Sequence, residues 1–252
     1  MTESTGLKDK YSIIIPYRNR EAHLELLLPR LQEVFKDKEY EIIVSEQNDN
    51  DSFNLSNTQN IGTQYATGNI IVLHQVDYYP TEDVSYDIQD QPVLPARRGI
   101  FVSNDLTKRD YNDIPTGYRK WEDEIDSEFY GGVVIMRKEH WDCIGGLNPL
   151  YKGWGNEDED LRERLRLYGY IPHRNEVGTF LCLHHEDNGN IAAKPKEEQE
   201  DFILGRQMLA NFKTYKHLGY KSVTADIEEF ETDIPNVRWI KNTNYKIHEN
   251  IN

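Results

Sequence analysis

Three short apolar runs decide the fold of this chain: YSIIIP (11–16), YEIIVS (40–45) and NIIVL (69–73). Each run is rich in β-branched residues and of the length typical of a buried strand. Residues 21–36 carry leucines three and four positions apart, which predicts an amphipathic helix between the first two strands. A second helix is predicted over 55–66. This alternation with short links predicts an α/β fold with a parallel sheet covered by helices.

The rest of the chain is less regular. Residues 80–128 are rich in Pro, Asp, Tyr and Gln, so we expect loops and short strands there. No linker or repeat separates two independent units, and we expect one domain over 1–252. Its two halves would be about 8–80 and about 81–252. The other expected elements are a strand over 131–136, helices over 138–144, 156–168 (capped by Asn156) and 199–217, and strands after 220.

Charge and composition limit the classes of partner. The net charge of −15 over 252 residues argues against nucleic acid or an anionic membrane surface, because both need a basic face. No run approaches the roughly 20 apolar residues of a membrane span, and residues 1–10 hold no apolar segment. The two cysteines form no recognisable pattern, so no disulfide framework is indicated. We therefore expect a cytoplasmic protein without a membrane span.

Polar residues follow the first and third predicted strands, at the sheet edge where open α/β sheets bind ligands. Pro16, Tyr17, Arg18 and Arg20 follow the first strand, and two guanidinium groups there suit a diphosphate. The alternative is a solvated polar turn.

The segment QVDYYP (75–80) follows the third strand, and its Asp77 can ligate Mg²⁺ or Mn²⁺. A single Asp before a turn is also common without a metal.

The segment GWGNEDED (153–160) places an indole and two glycines before four acids. Trp154 can stack on a sugar ring, and a carboxylate beside it can deprotonate a hydroxyl group. The acids alone could equally well complement the helix dipole and stay solvated. Downstream, CLHH (182–185) offers imidazoles that can complete a metal site. Adjacent histidines near a strand end are otherwise unremarkable.

Taken in order, these motifs resemble the β-1,4-galactosyltransferase family. The resemblance runs through most of the chain, and its most specific parts are the Pro-aromatic-Arg-Asn-Arg and Gly-Trp-Gly-x-Glu-Asp blocks. The segments that carry it are IIIPYRNREAHL (13–24), FNLSNTQNIG (53–62), VDYYP (76–80), FYGGVVIMRKEHWDCIGGLNPLYKGWGNEDEDLRERL (129–165) and 182–185.

The resemblance implies a GT-A fold and an inverting transfer of a hexose from a UDP-sugar to a saccharide acceptor. Asp158 would be the catalytic base, and Glu157 would orient sugar hydroxyls. Trp154, Glu157 and Asp158 would bind the acceptor. Asp77 and His185 would hold Mn²⁺, with Mg²⁺ as the alternative and Cys182 as a further ligand. The nucleotide-sugar site would consist of Pro16, Tyr17, Arg18, Arg20, Asn54, Val76, Asp77 and Trp154.

The sequence departs from the family pattern at three positions. Gln75 replaces the first acid of the Asp-x-Asp motif, and Asn156 replaces a glycine. Phe129 lies where the animal enzymes have a tyrosine that helps to select the donor. Galactose is the leading donor by this resemblance. Alternatives are N-acetylgalactosamine or glucose in surface-polysaccharide synthesis, and a non-catalytic sugar-binding module on the same scaffold.

Overall fold

A computed structural model of the chain describes residues 8–102, 129–153, 155–184 and 191–248. Its first elements are β1 (Lys10–Tyr17), α1 (Glu21–Val34), β2 (Glu39–Gln47), α2 (Leu55–Gln64) and β3 (Ile70–His74). β1 pairs in parallel with β2 and with β3. The β-α-β-α-β unit predicted from the apolar runs is therefore confirmed.

The remaining described residues form shorter elements and one long hairpin. Two one-turn 3₁₀ helices lie at Ile191–Ala193 and Tyr220–Ser222. The strands are β4 (Tyr78–Pro80), β5 (Val93–Leu94), β6 (Arg98–Val102), β7 (Val133–Arg137), β8 (His173–Arg174), β9 (Thr179–Leu183), β10 (Val223–Glu231) and β11 (Val237–Ile247). The helices are α3 (Lys138–Ile144), α4 (Glu157–Leu167), α5 (Lys196–Ala210) and α6 (Phe212–Tyr215).

The described strands form two sheets. The larger one has the order β10-β11-β2-β1-β3-β7-β5-β8, and the smaller one has the order β4-β9-β6. In the larger sheet β11 is parallel to β2, whereas β7 runs antiparallel to β3. The first three strands thus form a parallel centre, and strands from the later part of the chain extend the sheet on both sides.

Alternation along β1 divides the core between the two faces of the large sheet. Ile13 and Ile15 pack with α1 on one face, and Ile14 packs with α2, α3 and α4 on the other. All three isoleucines have no exposed surface. The second face is the one that positions the site described below.

One predicted helix is divided in the structure. The helix expected over 199–217 begins earlier and appears as α5 and α6, with Asn211 between them. No helix among the described residues is both long enough and apolar enough to cross a membrane.

Candidate active site

A pocket lies at the carboxyl end of β3, between α2 and α4. It encloses about 300 Å³ when its mouth toward solvent is counted. It brings together Gln75, Glu157 and Asp158, which the sequence places in two separate motifs. The lining residues are Leu55, Gln59, Leu73, Gln75, Tyr130, Gly131, Gly132, Val134, Leu147, Glu157, Asp158 and Leu161.

The two glycines before β7 form one wall of this pocket. Gly132 has φ of +81°, and a Cβ atom there would lie 2.4 Å from the ring of Tyr78. The carbonyl of Gly132 accepts a hydrogen bond of 2.9 Å from the backbone N–H of Gln75. A residue with a side chain cannot occupy this position without displacing Tyr78, so the glycine fixes the strand end that carries Gln75 and Asp77.

Two of the four acids in the first turn of α4 have cationic partners. The carboxylate of Glu159 pairs with Arg206 of α5. Asp160 pairs with Arg164, and both side chains are 1% exposed. The hydroxyl of Tyr151 donates a further hydrogen bond of 3.3 Å to Asp160. These contacts hold the first turn of α4 against α5, through Arg206, and against the loop before it, through Tyr151.

The other two acids, Glu157 and Asp158, line the pocket and are left without such partners. Neither forms an ion pair with a residue that the structure describes. Burial raises the pKa of the Glu157 carboxyl above its ordinary value, and the negative charge of Asp158 raises it further. Burial also raises the pKa of Asp158, and the backbone N–H of Glu159, which donates to its Oδ1 over 2.9 Å, offsets part of that rise. Two half-buried carboxyls that repel each other and prefer a proton are suited to accept one from a bound hydroxyl group.

α2 holds the loop that leads into these acids. The side chain of Asn60 bonds both backbone groups of Leu147, at 2.8 and 3.0 Å. Asn54 donates to the carbonyl of Pro149 over 3.0 Å, and the N–H of Gly153 donates to the carbonyl of Phe53. The loop over 147–153 therefore follows the surface of α2, and this brings the first turn of α4 to the pocket.

The expected capping role of Asn156 is wrong. Asn156 precedes α4 with φ of +77° and makes no side-chain cap. Its amide instead donates to the carbonyl of Phe202 in α5, at 3.4 Å. A Cβ atom on Gly205 would lie 2.6 Å from that amide, so α5 packs closely against the start of α4. The left-handed conformation of Asn156, which asparagine tolerates better than most residues, explains the difference.

The cluster after β1 divides into buried and accessible side chains. Pro16 lies within β1. Tyr17, the last residue of β1, is 3% exposed, and its ring packs edge-on against Trp239 of β11. Arg18 and Arg20 lie partly exposed in the turn that follows. Tyr17 therefore packs in the core beneath the two arginines.

Arg18 is oriented by two contacts. Its guanidinium donates to the carbonyl of Asp51 and lies over the ring of Phe53, 5.2 Å from the ring centroid. Phe53 directly precedes Asn54, whose side chain caps α2 by accepting from the N–H of Asn57 at 2.8 Å. Asn54 is 3% exposed, and its side chain is used within the protein to cap α2 and to hold the carbonyl of Pro149.

Asp77 lies in the turn directly before β4, and Cys182 lies on β9, the strand that pairs with β4 in the small sheet. The N–H of Leu183 donates to the carbonyl of Asp77 over 2.8 Å, and Cys182 is opposite Tyr78 in the β4–β9 register. Burial raises the pKa of the Cys182 thiol, and the negative charge of Asp77 raises it further. Val76, 7% exposed, packs in the core beside them.

Two predicted site residues, Trp154 and His185, lie outside the described residues. Within the described ranges, no group of three or more His, Cys, Asp or Glu side chains could hold a metal ion. Phe129 is described: its carbonyl accepts from Arg174, and its ring lies over Gly131, where a Cβ atom would be 2.5 Å away.

Sequence reasoning missed two residues of α2 that line the pocket, Leu55 and Gln59. Their spacing of four in a predicted helix places both on one face, which was the available signal. It also missed His74, which is fully buried, bonds Tyr86 and the carbonyl of Gln75, and has its pKa lowered by burial to about 4. The neutral ring of His74 supports the strand end before Asp77.

The fold is of the GT-A type. The chain superimposes on the catalytic domain of Drosophila β-1,4-galactosyltransferase 7 in complex with xylobiose, with a TM-score of 0.68. A mutant of that enzyme in complex with manganese, UDP-Gal and xylobiose gives a TM-score of 0.70. Both are 22% identical to this chain, and each match covers 96% of this chain and 95% of the other.

Sequence comparisons give the family. Residues 3–88 match the N-terminal region of glycosyl transferase group 7, and residues 116–186 match a model described as the N-terminal domain of galactosyltransferase. The chain belongs to the β-1,4-galactosyltransferase family.

Individual relatives carry the same family name. β-1,4-galactosyltransferase 5 of Homo sapiens is 30% identical over 237 residues, which is 86% of this chain and 56% of the relative. β-1,4-galactosyltransferase 4 of Cricetulus griseus is 30% identical over 191 residues, which is 72% of this chain and 50% of the relative. The chain thus spans about half the length of these curated relatives.

Proposed function

We propose that this chain is an inverting, metal-dependent galactosyltransferase that moves galactose from UDP-galactose to a hydroxyl group of a saccharide. The observation that carries the proposal is the pair Glu157 and Asp158, unpaired among the described residues, in a pocket at the end of the nucleotide-side sheet. Family membership supports it, as do the names of the relatives.

Asp158 is the proposed base. Its carboxylate takes the proton from the acceptor hydroxyl as the oxygen attacks the sugar carbon opposite the departing diphosphate. Glu157, beside it, accepts hydrogen bonds from sugar hydroxyls and orients the ring. The repulsion between the two carboxylates makes a proton on one of them favourable, which suits a base that must receive one.

Asp77, His185 and Cys182 are the proposed residues for a divalent cation, Mn²⁺ or Mg²⁺. The donor chemistry fits: the Asp77 carboxylate lies just before β4 and the Cys182 thiol lies on β9, which pairs with β4. His185 is two residues after Leu183, whose N–H donates to the carbonyl of Asp77. When bound, the cation supplies charge neutralisation for the leaving diphosphate. Manganese accompanies UDP-Gal in the solved neighbour.

Arg18 and Arg20 are proposed to hold the nucleotide, since they are the cationic side chains at the end of β1. Trp154 is proposed to cover the donor and acceptor sugars and to limit hydrolysis by excluding water. Phe129 is proposed to favour galactose over N-acetylgalactosamine, because its bulky ring lies over the glycine wall of the pocket.

The biological setting is part of the same proposal. The acceptor is a saccharide, as the xylobiose in the two solved neighbours is for their enzyme. We also propose polysaccharide synthesis in the cytoplasm as the setting.

The direct test is UDP release from a panel of UDP-sugars, with and without Mn²⁺, and with simple saccharides including xylobiose. We expect release with UDP-galactose that requires the cation and rises with one acceptor. The Phe129→Ala variant tests donor choice in the same panel, and it should accept UDP-N-acetylgalactosamine relatively better. Binding of UDP without release from any donor would instead indicate a sugar-binding module.

A further inference from the structure

Gln59 is the polar residue with which α2 lines the pocket. It is 4% exposed and lines the pocket with Leu55, one helical turn earlier. Its carboxamide makes no hydrogen bond with any residue that the structure describes. By contrast, Asn54 and Asn60 on the same helix use their amides to hold the loop over 147–153.

The amide of Gln59 reaches the space of the pocket, unlike the Ser56 hydroxyl and the Asn57 amide oxygen of the same helix, which are fully buried and without a partner. An amide that opens onto a pocket and bonds no described residue is available to bond a ligand there. Leucines already line the same pocket at 55, 73, 147 and 161, so an apolar side chain would suit position 59 if packing alone mattered. The amide at this position is therefore better explained by a ligand than by the fold.

The chemistry of the pocket indicates which ligand group it meets. A carboxamide has both a donor and an acceptor, and a sugar hydroxyl also donates and accepts. A carboxylate at position 59 would add a third negative charge beside Glu157 and Asp158. The neutral amide can bond a hydroxyl without that repulsion.

We propose that Gln59 is a specificity-determining residue that hydrogen-bonds one hydroxyl group of the donor hexose. Gln75 supports the assignment to the donor, because it lines the same pocket and stands two residues before Asp77, the proposed metal ligand at the diphosphate. The inference rests on the proposed function and adds to it a residue that distinguishes donor sugars by one of their hydroxyl groups.

The test uses the full chain with Mn²⁺ and measures dissociation constants by calorimetry for UDP, UDP-galactose and its 2-, 3-, 4- and 6-deoxy analogues. For the wild type, one analogue should bind about tenfold more weakly than UDP-galactose, the effect of one lost hydrogen bond. In Gln59→Leu, UDP-galactose and that analogue should bind equally, and the affinity for UDP should not change.

Gln64→Leu is the matched control, because it makes the same change on the same helix. Gln64 donates to the carbonyls of Tyr220 and Val223, at 2.7 and 3.0 Å. Gln64→Leu should lower the Tm and keep the discrimination between hydroxyls. Gln59→Leu should keep the Tm, because it removes no hydrogen bond to a described residue.

The outcomes separate the two proposals. If the wild type binds UDP-galactose no more tightly than UDP, and transfers nothing, the proposed function fails and this inference fails with it. If the wild type is active and Gln59→Leu still discriminates against the same analogue, only the inference is overturned. A lower Tm for Gln59→Leu, with all sugars weakened alike, would show a structural role and would also overturn it.

Discussion

α2 and α4 both line the pocket, and they differ in what their polar side chains do for the fold. α2 buries Asn54, Asn60 and Thr58 and satisfies each of them within the protein. The first turn of α4 leaves Glu157 and Asp158 half-buried, adjacent and without ion pairs to described residues. α2 therefore fixes the loop over 147–153, whereas the first turn of α4 presents two carboxyl groups to the pocket.

The difference also indicates which side chains stabilise the fold and which serve catalysis. Satisfied buried hydrogen bonds on α2 and the Asp160–Arg164 pair stabilise the fold, so their removal should be seen in unfolding. The charges of Glu157 and Asp158 work against the folded state, so their removal should lower catalysis without lowering stability. The substitutions below test this division.

The largest effect is expected from Asp158→Asn. Loss of the proposed base should lower kcat by about 10³-fold, within the usual range for general-base removal. The affinity for UDP should not change. The free energy of unfolding should stay the same or rise. Transfer rates and calorimetric titration with UDP measure these effects. The control is Glu159→Gln, which removes the neighbouring acid that pairs with Arg206 and should remain active. Near wild-type transfer by Asp158→Asn would contradict the assignment.

The next effect concerns stability. Arg164→Met leaves Asp160, 1% exposed, without its cation, and should reduce the free energy of unfolding by about 3–5 kcal/mol. Urea unfolding measures it. The double variant Asp160→Leu with Arg164→Met should recover much of the loss, because no unpaired buried charge remains. A single variant as stable as the wild type would mean that the pair does not hold α4.

A smaller effect is expected at the other helix. Asn54→Ala removes the cap of α2 and the bond to Pro149, and should cost about 1–2 kcal/mol. Because the loop over 147–153 loses an anchor, KM for the donor should rise as well. Thermal unfolding and steady-state kinetics measure both. Ser52→Ala, just before this segment and outside these side-chain bonds, is the control, and an equal loss there would refute the special role of Asn54.

The smallest effect is a pH dependence. The folded state raises the pKa of Glu157, so it binds a proton that the unfolded chain has released. Stability from this group is present at low pH and is lost as pH rises from about 4.5 toward the raised pKa. Glu157→Gln should therefore become more stable relative to the wild type as pH rises from about 5 to about 8. Urea unfolding at several pH values checks this, and an advantage that shrinks with pH would contradict the direction of the shift.

Much of the fold was predictable from local pattern. The runs at 11–16, 40–45 and 69–73 are β1, β2 and β3 with bounds that differ by one or two residues, and α3 was predicted over its whole range. These predictions succeed because buried strands and short helices carry their signal in neighbouring residues. The helix predicted over 199–217 was only partly right, since the break at Asn211 has no strong local marker.

The sequence by itself determined the strand–helix alternation, the family motifs and the acidic block after Trp154, since each is a property of consecutive residues. Only the tertiary structure decided which acids of that block find cations, because Arg206 comes from α5 and α5 packs from a distant part of the chain. It also decided that Asn156 turns left-handed instead of capping, and that Gln59 lines the same pocket as the acids. These are long-range contacts, and spacing along one helix fixes a face but not what that face meets.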